Sequence, residues 1–338
     1  EISYGSILKS IGLFGGVQIF QIIVTLIRNK FVAVLLGPVG MGIIGLITST
    51  LSMIDILVGM GMGTSAVRDI SQAYASGDNR KISLTYSVLR KIVIVSGVVG
   101  TFFILLFAAP LSFMTFGNYD YTNGFRIVSV VMLLNQICVG QRVLLQGTFH
   151  YKFLALSALW GSISGLVFSL PMYYFFGESA IVPVIIITSF FSVFYTWKYS
   201  TGLNIGVVGV TFKQVLTIGK VMIILGMTVA ITAFIRLGGT YFTRIFISNL
   251  GGIEAVGLYV AGIAIASQYV DVILSSMGSD YAPRLASMAD NNELFIETIN
   301  RQIKLLIPII IPLIVLFLIF MKIVVIILYS NKFLGIIG

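Results

Sequence analysis

Three arginines stand where so apolar a chain has little reason to carry charge. Arg28 lies in QIFQIIVTLIRNKFVAVLL, and Arg236 and Arg244 lie in VMIILGMTVAITAFIRLGGTYFTRIFI. Gln18, Gln21, Thr25 and Arg28 are spaced three, four and three apart, so a helix puts them on one face. Arg236 falls on a polar side with Thr232, Thr240 and Thr243. Asn135, Arg142 and Gln146, spaced seven and four, share another face. A polar stripe ending in arginine lines something wet or packs on a partner. In the first case the guanidiniums, which stay protonated, are fixed counter-charges for an anion. Asp55 and Asp271 are the acids deep in apolar runs. Each reads either as a proton- or cation-loading group or as a structural partner in the packing.

The elements that must position these residues are membrane helices. Of 338 residues 58% are hydrophobic and 10% charged, unlike any soluble globular chain. Apolar runs of about 18 residues or more recur along the length, and nothing alternates as an outer-membrane barrel does. One cysteine, Cys138, and one histidine, His150, exclude a disulfide framework and argue against a metal site. No cofactor is expected. No Ser/His/Asp set or catalytic carboxylate pair argues for an enzyme. The net charge of +9 follows from the positive-inside rule, so nucleic acid is not an expected partner.

Nine spans are expected, near 7–36, 41–67, 82–109, 125–149, 153–176, 180–198, 220–249, 255–283 and 303–329. With the N-terminus inside, fourteen of the 21 Lys and Arg fall on the cytoplasmic side, Lys9, Arg68, Lys91 and Lys213 among them. Residues 203–220 read as an interfacial connector. Pro308 and Pro312 predict a kink in the last span. Lys30 is expected to snorkel. The many glycines read first as close-packing positions.

An internal repeat organises the spans. Arg28 and Arg244 are 216 residues apart; at the same offset lie Asp55 and Asp271, Ala66 and Ala282, Arg68 and Arg284, and Ala73 and Ala289. Six spans separate the copies, so both cross in the same sense, as in parallel-repeat transporters. The expected architecture is an all-α membrane protein of two parallel-repeat lobes around a central cavity. It comprises an N-terminal six-helix lobe (1–200), a connector (201–219) and a three-helix start of the second lobe (220–338). A full second lobe needs about three more helices, and the chain begins at Glu1. The sequence is therefore expected to be a piece of a longer one.

The stretches LIRNKFVAVLLGPVGMGIIG, MGTSAVRDISQAYASGDNRK and IFISNLGGIEAVGLYVAGIAIA resemble the O-antigen and oligosaccharide flippases. These belong to the multidrug/oligosaccharidyl-lipid/polysaccharide exporter superfamily. The resemblance covers essentially the whole chain, as about nine of twelve or more helices. It implies a transporter that moves an undecaprenyl-pyrophosphate-linked oligosaccharide from the inner to the outer leaflet of a bacterial inner membrane. The implied cavity is V-shaped, basic and alternately accessible, with membrane lipid and the polysaccharide polymerase machinery as further partners. A diphosphate crossing hydrocarbon needs a counter-charge, and arginine matches phosphate through its planar fork. Arg28 lies roughly 14 Å below its turn, near mid-bilayer. Arg28, Arg236 and Arg244 are thus the expected cavity cations, with Gln18, Gln21, Thr25 and Asn135 beside them and Arg142 at the inner mouth. A cation-coupled drug exporter would centre on Asp55 and Asp271 instead. A membrane glycosyltransferase would need a long soluble loop that the chain lacks.

Overall fold

The computed structural model describes residues 4–287 and 292–337, and among them all regular structure is helical. Helix α1 spans Tyr4–Leu35, α2 Gly37–Gly59, α3 Met62–Ala75, α4 Asn79–Leu106, α5 Ala108–Phe116 and α6 Thr122–Val128. Then come α7 Val130–Gly147, α8 Tyr151–Phe176, α9 Ile181–Thr201, α10 Phe212–Ser287 and α11 Asn292–Leu328. Gly252, at φ 78° and ψ 177°, breaks α10 into α10a (212–251) and α10b (253–287). With α6 and α7 taken as one bent element, long helices stand at each of the nine expected places among the described residues. Among the described residues five stretches are long and apolar enough to cross a membrane: Gly37–Gly59, Asn79–Leu106, Thr122–Gly147, Tyr151–Thr201 and Lys213–Ala266. The last two hold two helices each.

Local chemistry sets the breaks. Gly37 turns at φ 68° and Pro38 follows in the first helical turn, where its missing N–H costs nothing. Asp78 caps α4, its carboxylate accepting from the N–H of Arg80 at 2.8 Å and of Lys81 at 3.2 Å. The second expected span, 41–67, is divided. Met60 and Gly61 both take left-handed conformations and turn the chain from α2 into α3. The third also ends early, at Leu106, where Phe107 turns the chain into α5. Helix α11 runs on as helix through Pro308 and Pro312.

Two apolar cores hold the bundle. One joins Leu46, Phe125, Tyr173, Val256 and Phe333; the other joins Met62, Ile70, Leu89, Leu144 and Met222. Outside them, large apolar side chains face outward: Leu106 is 76% exposed, Leu250 75% and Phe175 74%. Water would not tolerate so much apolar surface, and lipid does. The chain is a multi-pass membrane protein.

Helix α2 packs along both halves of α10, main chain against main chain. A Cβ on Gly257 would stand 1.8 Å from the Pro38 carbonyl oxygen, and one on Gly42 2.2 Å from that of Ile253. At the other end, Gly61 meets Gly226 just as closely. Small residues permit such approaches. Residues 204–210 are non-helical and run beside α4. Ser87 Oγ accepts from the Val208 N–H at 2.9 Å, and Lys91 Nζ donates to the Val210 carbonyl at 3.3 Å.

Candidate functional site

Arg28 on α1 and Arg244 on α10a line one cavity of about 160 Å3, with Asn29, Met41, Thr48 and Tyr173 among its walls. None of its lining residues is acidic. Arg28 is exposed and makes no hydrogen bond or ion pair among the described residues. Arg244 is half-buried. Its Nη1 donates to the Gly45 carbonyl at 2.7 Å, while its Nε is buried without a partner. The guanidinium is therefore tethered on one side and unsatisfied on the other. Two like charges in a recess with low-dielectric walls make a positive field, suited to an anion.

A second cavity, of about 330 Å3, lies between α1, α7 and α8 and is lined by Gln21, Arg142, Gln146, Leu154 and Ala155, again with no acid. Gln21 and Arg28 are two turns apart on one side of α1, so the two cavities follow each other along that helix at a spacing of roughly 10 Å. The stripe on α1 and the face on α7 therefore meet, through Gln21 and Arg142.

Other expected members stand apart. Thr25 is exposed and its hydroxyl donates to its own helix, to Gln21 O at 2.8 Å. Asn135 is half-buried and lies about 10 Å along α7 from Arg142, beyond the second cavity's reach. Arg236 is exposed and lines neither cavity; it is two turns from Arg244, and its carbonyl accepts from Thr240 Oγ1 at 3.3 Å. The side chains of Gln18 and Asp271, and with the latter the repeat partners Ala282, Arg284 and Ala289, lie outside the described residues.

Asp55 lines neither cavity. It faces Gln136, whose Nε2 donates to Asp55 Oδ1 at 2.9 Å. Gln136 is 2% exposed and its Oε1 has no partner, so a neutral amide, not a cation, holds the carboxyl. That pairing follows from the packing of α7 on α2, with Gly59 seated against the amide. Residue spacing does not disclose it.

Sequence reasoning also passed over Asn29, Tyr173 and the buried hydroxyls of Thr50, Thr115 and Tyr241, among which that of Thr115 lies 3.4 Å from that of Thr50 and 3.3 Å from that of Tyr241 across α2, α5 and α10a. Their one signal is a polar group in an apolar run. Lys30 does not snorkel. Its Nζ donates to the carbonyls of Ile326 and Tyr329 and closes the end of α11.

The sequence pattern of the family described as polysaccharide biosynthesis protein matches residues 31–338. None of the curated proteins matches the chain. Among solved structures, an inward-facing multidrug resistance MATE family transporter of the MOP superfamily is similar, with a TM-score of 0.69 at 17% identity. That similarity covers 94% of this chain and 75% of that one, and at this identity it establishes the fold alone. A basic, acid-free recess between helices thus sits in a chain that belongs to the polysaccharide biosynthesis protein family.

Proposed function

We propose that this protein flips a glycan carried on a polyprenyl diphosphate, such as undecaprenyl pyrophosphate, across the bacterial inner membrane by alternating access. The observation that carries the reading is the shared cavity: Arg28 and Arg244, 216 residues apart, line one recess without an acid. Diphosphate in hydrocarbon requires a counter-charge, and two guanidiniums at one depth supply it. Arg28 is the free cation. Arg244 lines the same recess while its Nη1 is tethered to the Gly45 carbonyl. Arg142, with Gln21, forms a second station along α1, toward the basic end of the bundle. Arg236, Gln18, Thr25 and Asn135 fall outside this core of the proposal. In this reading residues 1–200 form one lobe, 201–219 the connector and 220–338 the start of the second lobe, with the N-terminus in the cytoplasm. The polymerase that consumes the flipped glycan is the expected neighbour. Export of organic cations is the alternative. It would rest on Asp55 and Asp271, but Asp55 faces an amide rather than either cavity, which favours the anionic cargo.

The test is complementation of cells that lack their own flippase, scored for surface glycan, for lipid-linked glycan retained inside and for protein in the membrane. Arg28→Ala is expected to abolish export while reaching the membrane normally, and Arg28→Lys to keep part of it. Arg244→Ala loses export too, with lower protein levels because the Gly45 tether goes. Full export by Arg28→Ala refutes the counter-charge role.

A further inference from the structure

A third cavity, of about 240 Å3, lies between α4, α7 and α9 and shares no lining residue with the two above. Arg90 and Tyr86 stand on its α4 wall, Gln141 on α7, Val193 and Trp197 on α9, and Ile205 and Val207 of the non-helical segment at its edge. Three observations bear on its occupant. Arg90 is exposed, with no hydrogen bond or ion pair among the described residues, and none of the lining residues is acidic. Gln141 is 6% exposed, yet its Oε1 has no hydrogen-bond partner among the described residues, which natural interiors rarely leave so. The rest of the wall is largely apolar and includes Ile94 and the half-exposed Trp197, an amphipathic ring of the kind found at head-group level. The cavity also sits where 204–210 crosses α4 near Ser87 and Lys91, at the end of the bundle that carries Lys81, Lys198 and Lys213.

We infer that this peripheral cavity binds one phospholipid of the leaflet at the basic end, an anionic lipid with a single phosphate and a hydroxyl-bearing head group of the phosphatidylglycerol type. The phosphate pairs with Arg90 in a charge-assisted bond, a head-group hydroxyl donates to the Gln141 amide, and the acyl chains lie along Ile94, Val193 and Trp197. A zwitterionic head group would bring its own cation against Arg90, with no acid nearby to receive it. The site is separate from the proposed glycan path. Its ligand is resident lipid rather than cargo.

The protein carries its own reporter, because Trp160 and Trp197 are its two tryptophans. In Trp160→Phe only Trp197 fluoresces. The full chain is reconstituted into phosphatidylcholine vesicles doped with a small mole fraction of either brominated phosphatidylglycerol or brominated phosphatidylcholine, and quenching of Trp197 is read. Phosphatidylglycerol is expected to be enriched at Trp197 about tenfold over its bulk fraction, the weight of one charge-assisted hydrogen bond. Arg90→Ala, at an exposed position, brings it down to the phosphatidylcholine level, Gln141→Leu reduces it, and added inorganic phosphate leaves it unchanged. Equal quenching by the two lipids, quenching indifferent to Arg90→Ala, or displacement by inorganic phosphate overturns the inference.

Discussion

Gly257→Ala tests the tightest glycine contact between helices among the described residues. The new Cβ would stand 1.8 Å from the Pro38 carbonyl oxygen and 3.1 Å from the Gly42 nitrogen. Both are backbone atoms at the start of α2, with no side chain able to swing aside. Ordinary contact begins near 3.4 Å, so α2 and α10b must part by about 1.6 Å. A gap half that size already forfeits a quarter to a half of each dispersion contact. The loss spreads to Gly42 on Ile253 and Gly45 on Val260, which share the crossing. The expected cost is about 3 kcal/mol, the upper end for overpacking, which in a chain this long lowers Tm by roughly 6 °C. Cys138 is the one cysteine and is 5% exposed. A thiol-reactive fluorogenic dye therefore reads unfolding in detergent without any added label. Gly239→Ala is the control: nothing lies within 4 Å of its Cβ, and helix propensity predicts a small gain. Because Gly42→Ala strikes the same crossing, the double variant should lose about as much as the worse single one. A Gly257→Ala Tm equal to that of Gly239→Ala, or strictly additive losses, refutes this account.

Two further predictions concern the ends of helices. Lys30→Met keeps the aliphatic stem but removes the donors to Ile326 and Tyr329; hydrogen exchange across 329–336 should quicken by about tenfold, and unchanged exchange would show that the last turn holds without it. Asp69, on α3 outside the spans, has a buried Oδ2 without a partner, and burial raises its pKa despite the opposing charge of Arg68. An acid whose folded pKa is raised contributes stability that is full below its unfolded value and is lost as pH rises through the folded one. Asp69→Asn should therefore raise Tm at neutral pH and give no advantage in acid; a gain of equal size at both would refute the assignment.

The order and number of helices were legible because runs of apolar residues announce themselves whatever they pack against. So were Arg28 and Arg244, since a charge in an apolar run is rare enough for one offset to pair them. Neighbours were harder to read. Helices α2 and α8 are apolar almost all round, and such helices do not say which face meets which partner. Gln136 as the partner of Asp55, and the Gly45 carbonyl as the tether of Arg244, depend on packing that composition does not encode. The division of the second span was hidden for another reason: Met60 takes a left-handed conformation that methionine rarely adopts, and the packing around it, not its own preference, puts it there.

The two glycine crossings, one on α2 at Gly42 and one at the α2–α3 turn at Gly61, lie roughly 28 Å apart by helical rise, about the thickness of the hydrocarbon layer. The nearest atoms at both are backbone or neutral side-chain atoms. Surfaces of this kind slide apart without rehydrating a charge and without waiting for a rotamer. Separation at either end is accordingly expected to be indifferent to ionic strength, whereas the anion proposed to bind between Arg28 and Arg244 would be released more readily as salt rises. In the proposed transport, movement and grip would thus be governed by different forces in different places, so the solvent conditions that loosen one would leave the other as it was.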